Sequence, residues 1–314
     1  MTIRQLQEEI QNLKQENDVT ILAHYYQPIE IQEIADYLGD SLGLSRTAKE
    51  KANTEYIIFA GVDFMAETAS ILNQDKRVLI PNPESCCPMA AYLTSEKLIQ
   101  YKSNNPGLPM VTYINSTAAV KAESDICCTS SNAIKITKKI AKDYKTDSVL
   151  FGPDANLADY VEQKSKIKTI KTPFEGHCYV HSQLTVDDMK TSMKRHPEGL
   201  ILVHPECKRE VREMADFVGS TAKMYNRVKN SKLNEKEFII GTEKGLMERM
   251  AQDFKEKEFF LVSNKLVCYN MKKNTIELMK HVLENLDDEM FEIKVPAEIA
   301  KRAIVPIEKM LHYS

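Results

Sequence analysis

Thr20-Ile21-Leu22-Ala23-His24 decides the fold, because the chain writes it three times. An apolar run ending on a ring-bearing side chain returns as Pro109-Met110-Val111-Thr112-Tyr113 and again as Leu200-Ile201-Leu202-Val203-His204, so that the rings lie 89 and then 91 residues apart. Three more landmarks keep this phase. An acid stands five residues before a small hydroxyl side chain at Asp36 and Ser41, Asp125 and Ser130, and Asp216 and Thr221, again 89 and 91 apart. A second apolar run ends in a glycine followed by an acid, at Gly61 and Asp63, Gly152 and Asp154, and Gly241 and Glu243, the glycines 91 and 89 apart. A cysteine follows a short turn-rich stretch at Cys87, Cys178 and Cys268, spaced 91 and 90. Self-similarity held at one period by four separate landmarks marks a repeated module.

Within a unit, short β-branched runs alternate with segments of helical periodicity. In the first unit this predicts strands over 21–24, 57–60 and 78–80 and helices over 31–37, 41–51 and 65–72. Strand-helix alternation means a parallel sheet covered on both faces. The expected fold is therefore α/β: three homologous three-layer αβα domains with short parallel sheets, in a pseudo-threefold triangular arrangement around a shared centre. The units are expected over 1–90 (with an N-terminal helix near 3–16), 91–180 and 181–270. Residues 271–314 are expected as a C-terminal helical segment, over 274–286 and 296–312, packing back on the body. No low-complexity linker separates the units, which predicts one body rather than beads on a string.

Composition excludes several function classes. In 314 residues, 42 Lys and Arg face 45 Asp and Glu, a formal charge of −3, which is no polybasic surface for nucleic acid. The longest apolar runs fall far short of the roughly 20 residues that span a bilayer. The first ten residues are amphipathic and lack the basic start and apolar core of an export signal, so the cytoplasm is the expected compartment. Seven cysteines, an odd number in a large chain, argue for free thiols, metal or catalysis rather than a disulfide framework.

Ligands of open parallel sheets collect beyond the carboxyl ends of the strands, where every landmark lies. Cys87, Cys178 and Cys268, one per unit, would form a triangle of thiolates there, a soft donor set suited to an iron-sulfur cluster or to zinc. Three thiolates on a four-iron cube leave one iron open as a Lewis acid. The competing reading is buried filler, since no Cys-x-x-Cys spacing forces a metal. That reading is favoured for Cys127, Cys128 and Cys207 in their apolar contexts, while Cys86 is left open by its position beside Cys87. Ser41, Ser130 and Thr221 open helices; taken singly such residues are caps, and taken together they suit a ligand with several carboxylates or phosphates. His24, Tyr113 and His204 share one repeat position, and Tyr26, Asn115 and Glu206 follow two residues later, on the same side of an extended segment. Beside a Lewis acid these form a set for proton transfer and orientation, although a lone strand-end histidine is ordinarily structural. His177 and His181 flank Cys178, where either could orient a metal ligand. His196-Pro197-Glu198 imitates His204-Pro205-Glu206 from a polar turn and is read as a decoy.

His24-Tyr25-Tyr26-Gln27, Gly39-Asp40-Ser41-Leu42, Gly61-Val62-Asp63-Phe64-Met65-Ala66-Glu67, Cys87-Pro88-Met89-Ala90, Tyr113-Ile114-Asn115-Ser116-Thr117, Gly176-His177-Cys178, His204-Pro205-Glu206-Cys207, Val218-Gly219-Ser220-Thr221, Gly241-Thr242-Glu243 and Cys268-Tyr269-Asn270-Met271-Lys272-Lys273-Asn274-Thr275 together resemble the quinolinate synthase family. The resemblance runs in order over about residues 21–275. It implies a triangle of three α/β domains around a 4Fe-4S cluster held by Cys87, Cys178 and Cys268, with one open iron. It also implies condensation of iminoaspartate (iminosuccinate) with dihydroxyacetone phosphate to quinolinate, phosphate and water in de novo NAD biosynthesis. His24, Ser41, Tyr113, Asn115, Ser130, His204, Glu206 and Thr221 match substrate-contacting positions, and Tyr26, Tyr113, Glu206 and His204 match the catalytic ones. The implied partners are the two small substrates, an aspartate-oxidising enzyme that supplies iminoaspartate, and iron-sulfur assembly machinery, with no nucleic acid and no membrane. Two departures stand out. Tyr25 occupies a place where asparagine is common, and no cysteine follows Cys268, so the C-terminal thiol cluster of some members is missing. An aconitase-like hydro-lyase and a non-catalytic iron-sulfur sensor are the alternatives, while a radical enzyme is disfavoured by the missing Cys-x-x-x-Cys-x-x-Cys signature.

Overall fold

The computed structural model describes residues 1–314 and contains three four-stranded parallel sheets. The first holds β1 (Val19–His24), β2 (Tyr37–Gly39), β3 (Tyr56–Ala60) and β4 (Arg77–Leu79) in the order β2-β1-β3-β4. The second, of β5 (Met110–Tyr113), β6 (Ile126–Cys128), β7 (Ser148–Gly152) and β8 (Lys168–Lys171), runs β6-β5-β7-β8. The third repeats it with β9 (Leu200–Val203), β10 (Phe217–Val218), β11 (Glu237–Gly241) and β12 (Glu258–Leu261) in the order β10-β9-β11-β12. All pairings are parallel. One topology written three times is the structural counterpart of the sequence period.

Helices cover both faces of each sheet, so the strands carry near-continuous apolar runs rather than alternating ones. In the first sheet Ile21, Ala23, Ile58 and Leu79 point into one buried cluster while Leu22, Ile57, Phe59 and Val78 point into another. In the third, Ile201, Val203 and Ile239 face one cluster and Leu202, Phe238 and Ile240 the opposite one. Successive side chains of a strand alternate sides, and each such fully buried side chain contributes about 1.5–3 kcal/mol through the apolar surface it takes from water.

The helix expected over 31–37 is not formed as such. A short helix, Ile29–Gln32, is followed by β2, which begins at Tyr37. Ile31 and Ile34 imitate helical spacing, whereas an edge strand of three residues leaves no periodicity to read. Its existence depends on pairing with β1 (Leu22↔Tyr37, His24↔Gly39). The acid landmark stands at this turn. The Ile21 N–H donates to Asp36 Oδ2, the Met110 N–H to Asp125 Oδ2 and the Ile201 N–H to Asp216 Oδ2, each at 2.8 Å. Each unit thus ties the segment leading to its edge strand to its own first strand, and the four-strand count was underestimated wherever this short strand went unread.

The chain ends pack back on this framework. Helix Ile3–Glu16, opened by a Thr2/Gln5 capping box, lies along helix Ile276–Glu284. Helix Ala297–Tyr313 runs over helix Ala118–Ala122, β6 and helix Asp63–Leu72, which joins the first and second units. No helix is long and apolar enough to cross a membrane. Replacing Asp216 by Ala strands the buried Ile201 N–H, a loss of about 1–3 kcal/mol, whereas Asp216→Asn keeps an acceptor and loses less. Urea unfolding of both variants checks this: a lower midpoint for Asp216→Ala at unchanged slope is the expected outcome.

Candidate active site

The carboxyl ends of the three sheets open on one cavity. Its wall takes one cysteine from each unit, Cys87, Cys178 and Cys268. The ring position supplies His24, Tyr113 and His204, and the position two residues on supplies Tyr26, Asn115 and Glu206. Ser41, Ser130 and Thr221 complete the set of twelve. Much of the remainder is apolar, with Val62, Phe64, Met65, Met89 and Met271 among the lining, beside the polar Asp40, Thr129 and His181. Cys127, Cys128 and Cys207 are buried in the cores, Cys86 is exposed, and His196 stacks on Phe260 away from the cavity.

Each cysteine is set by an acid of its own unit. The Cys87 N–H donates to Asp63 Oδ1 at 3.1 Å, the Cys178 N–H to Asp154 Oδ2 at 2.9 Å and the Cys268 N–H to Glu243 Oε1 at 3.2 Å. The loop before Cys178 lies so close to its neighbour that a Cβ on Gly176 would stand 1.9 Å from the Pro153 carbonyl oxygen, which only glycine allows. Burial pushes all three thiols up, and every pair adds mutual repulsion between thiolates. Three thiolates free in this pocket are thus penalised both by burial and by one another.

A second donor set, Cys178, His181 and Glu206, has ligand atoms within 4.8 Å of one another. Two of its members, His181 and Glu206, are hydrogen-bonded to each other. His181 Nδ1 lies 2.6 Å from Glu206 Oε2, and its Nε2 lies 2.8 Å from the Thr242 hydroxyl. The hydrogen bonds continue from Thr242 Oγ1 to the Tyr26 hydroxyl at 2.7 Å and from there to Thr221 Oγ1 at 3.0 Å. A consistent assignment has Tyr26 donating to Thr242, Thr242 to His181 Nε2, and His181 Nδ1–H to the Glu206 carboxylate. Glu206 and Tyr26 are therefore joined by one buried chain, and the Thr221 hydroxyl donates to Tyr26. Burial acts to raise the Glu206 carboxyl, but His204 and His181 outweigh it and hold the group well below the ordinary carboxylate range. Burial keeps the Tyr26 and Tyr113 hydroxyls protonated, with the Glu206 charge adding to the effect at both.

The histidine at the end of β1 is fixed in one tautomer. The Tyr26 N–H donates to His24 Nδ1 at 3.1 Å, so neutral His24 carries its proton on Nε2. Burial, with help from His204 and Lys272, lowers its pKa to about 3. The third unit repeats the contact, the Glu206 N–H reaching His204 Nδ1 at 3.4 Å. Asn115 Oδ1 and Glu206 Oε1 are buried with no protein partner, two acceptors left for a ligand's donors.

Helix caps differ in detail from the expected arrangement. Asp40 and Ser220, not Ser41 and Thr221, accept the first-turn N–H groups, from Gly43 and Lys223. Ser41 and Thr221 become the first helical residues. Ser131 links the helix starts, with hydrogen bonds to Asp40 Oδ2 at 2.9 Å and Ser220 Oγ at 2.6 Å. Three helix N-termini, each from a different unit, meet beside the cavity, where their dipoles favour an anion.

Sequence reading noticed Thr242 and the three acids only as parts of motifs, and it gave His181 no partner. The acids were recoverable from their spacing to the cysteines, 24, 24 and 25 residues. The Glu206, His181 and Thr242 chain joins positions far apart in sequence and leaves no local signal.

The family model described as "NadA: Quinolinate synthetase A protein" matches residues 8–312. The chain is 47% identical over 303 residues to a protein of Clostridium kluyveri named quinolinate synthase, with 96% of both chains covered. It is 44% identical over 307 residues to the quinolinate synthase of Pyrococcus abyssi, covering 98% of this chain and 99% of that one. With the Thermococcus kodakarensis quinolinate synthase it shares 43% identity over 314 residues, the whole of both chains. Three repeated sheets, one cysteine from each at a common cavity and full-length likeness lead to one conclusion: the chain belongs to the quinolinate synthase family.

Proposed function

We propose that the chain is a quinolinate synthase that condenses iminoaspartate with dihydroxyacetone phosphate, using a 4Fe-4S cluster held by Cys87, Cys178 and Cys268 and leaving one iron open. The single observation that carries this reading is the arrival of one half-buried cysteine per unit at the same cavity as the phased ring and hydroxyl residues. The donor set fits the group: three soft ligands, mutually repelling as thiolates, beside buried acceptors without partners. When bound, such a centre supplies a Lewis acid for loss of water from a hydroxyl. The units are taken to divide near 90, 180 and 270, and the seven unpaired cysteines support a reducing, cytoplasmic setting.

The protein's own groups account for the rest. Ser41, Ser130 and Thr221 beside the converging helix starts suit the phosphate and carboxylates of the substrates. His24, neutral with its proton on Nε2, donates to an anion without adding a charge that would have to be buried. Glu206 is the base end of the chain. Through His181 and Thr242 it lets Tyr26 give up and regain a proton, in the way an acid-histidine pair activates a hydroxyl elsewhere. Tyr113, protonated and next to Glu206, is suited to donate a proton to a leaving oxygen. The free Glu206 Oε1 and Asn115 Oδ1 accept from the substrate's N–H or O–H groups and orient it. The apolar lining excludes bulk water, which protects an imine from hydrolysis.

Anaerobic purification followed by an assay with both substrates tests the reading. Quinolinate formation supports it, whereas a bound cluster that dehydrates hydroxy acids without forming quinolinate favours the hydro-lyase alternative, and a spectrum unmoved by quinolinate favours the sensor. Cys87→Ala, Cys178→Ala and Cys268→Ala are each expected to lose the brown chromophore, iron and activity, while Cys127→Ala and Cys207→Ala retain them. Iron and sulfide counts per chain decide this. Thr242→Val and His181→Gln are expected to keep iron and to lower kcat about 10²–10⁴-fold, as are Glu206→Gln and Tyr113→Phe. Steady-state kinetics alongside iron counts would expose any of them that retained normal turnover.

The buried histidine also predicts a pH dependence of stability. His24 has a folded pKa of about 3 against an ordinary 6.5, so the unfolded chain binds a proton that the fold refuses. Its contribution is complete above pH 6.5 and is lost as pH falls from there toward 3, at about 1.4 kcal/mol per unit. Unfolding free energies of metal-free protein from urea titrations should fall between pH 7 and 5, with buried His181 adding in the same direction, and fall less steeply in His24→Asn.

A further inference from the structure

Gln32, Lys121 and Arg212 occupy one repeat position, 89 and 91 residues apart, although their side chains differ. All three are buried, at 3%, 0% and 5% exposure, and lie in the short helix that follows each unit's first strand. Each reaches out of its own unit. Lys121 Nζ donates to the Phe64 carbonyl of the first unit at 3.0 Å. Arg212 donates to the Asn156 carbonyl of the second at 2.8 Å, and Gln32 Nε2 to the Gly245 carbonyl of the third at 3.3 Å. The contacts run second to first, third to second and first to third, a closed ring.

The residue grasped is of one kind each time. Phe64, Asn156 and Gly245 stand one or two positions after Asp63, Asp154 and Glu243, the acids that hold the cysteine N–H groups. The acids accept N–H groups at these same turns: Phe64 donates to Asp63 at 2.7 Å, Gly245 to Glu243 at 2.7 Å, and Leu157, whose N–H shares a peptide with the Asn156 carbonyl, to Asp154 at 2.6 Å. A donor of one unit thus holds the turn on which the neighbouring unit's cysteine-holding acid rests. Two of the donors also grip the strand-end motif of their own unit, Gln32 at the Tyr25 and Gln27 carbonyls and Arg212 at the Pro205 carbonyl. The fit at Gly245 is close: a Cβ there would lie 2.7 Å from the Tyr25 carbonyl oxygen.

We propose that Gln32, Lys121 and Arg212 are positioning residues that set the three cysteines in register with one another across the unit boundaries, before any metal binds. The inference rests on the assignment of Cys87, Cys178 and Cys268 as ligands. Anaerobic reconstitution of metal-free, reduced protein with ferrous iron and sulfide probes that register. Wild type is expected to take up about four iron per chain, with the visible absorption of an iron-sulfur cluster. Lys121→Met, Arg212→Met and Gln32→Leu are each expected to take up less iron and to lose it to a chelator at least tenfold faster. Ile140→Ala, a core truncation in helix Ala133–Tyr144, is expected to lower the melting temperature without changing iron uptake or loss. Donor variants that fold and hold iron as wild type does would overturn the proposal. If removal of Lys121 or Arg212 prevents folding, Gln32→Leu, which removes no charge, carries the same test. A wild type that takes up no iron would instead overturn the three-thiol assignment itself.

Discussion

A backbone N–H that needs an acceptor fixes each cysteine of this protein. The carboxylates of Asp63, Asp154 and Glu243 take those N–H groups, and the same carboxylates accept from the first peptides of the helix that follows β3, β7 or β11. One side chain therefore starts a helix and locates a thiol, so the thiol inherits the rigidity of the sheet. Burial pushes all three carboxyls up, Asp154 furthest, while the backbone N–H groups each accepts act in the opposite direction. A donor set placed by three separate sheets requires those sheets to be placed relative to one another, and the ring of Gln32, Lys121 and Arg212 meets that requirement.

The same burial governs the chemistry. Burial holds the tyrosine hydroxyls protonated and His24 neutral, while Glu206 keeps its charge because histidines surround it. The cavity thus holds neutral donors beside one ionised carboxylate. On the proposed function, the hydrogen-bonded chain couples that carboxylate to Tyr26 without bringing it against every reacting atom.

Much of this was legible in the sequence, for a physical reason. Strand ends where a sheet presents ligand groups are short and rigid, so their residues keep a constant phase when the module is copied, and His24, Ser41 and Cys87 could be followed into Tyr113, Ser130 and Cys178 by counting. Edge strands such as Tyr37–Gly39 were not legible, since two or three residues carry no period and the pairing partner decides them. Gln32, Lys121 and Arg212 escaped notice because three different side chains perform one task, donating to a carbonyl, and only the contact reveals the equivalence.

The repeat also shows where symmetry stops. The acid after the middle strand, the acid before the edge strand, the hydroxyl beside a helix start and the closing cysteine all preserve chemical type. The ring position does not, reading His24, Tyr113 and His204, nor does its companion, reading Tyr26, Asn115 and Glu206. A threefold frame with three identical walls would offer an asymmetric substrate three equivalent poses and no preferred direction for a proton. The only carboxylate of the companion position stands in the third unit and a tyrosine in the first, while Asp40 of the first unit adds a second carboxylate to the lining. The chain through His181 and Thr242 joins Glu206 to Tyr26 across the unit boundary, and on the proposed function the direction of proton movement follows from these differences between copies of one module.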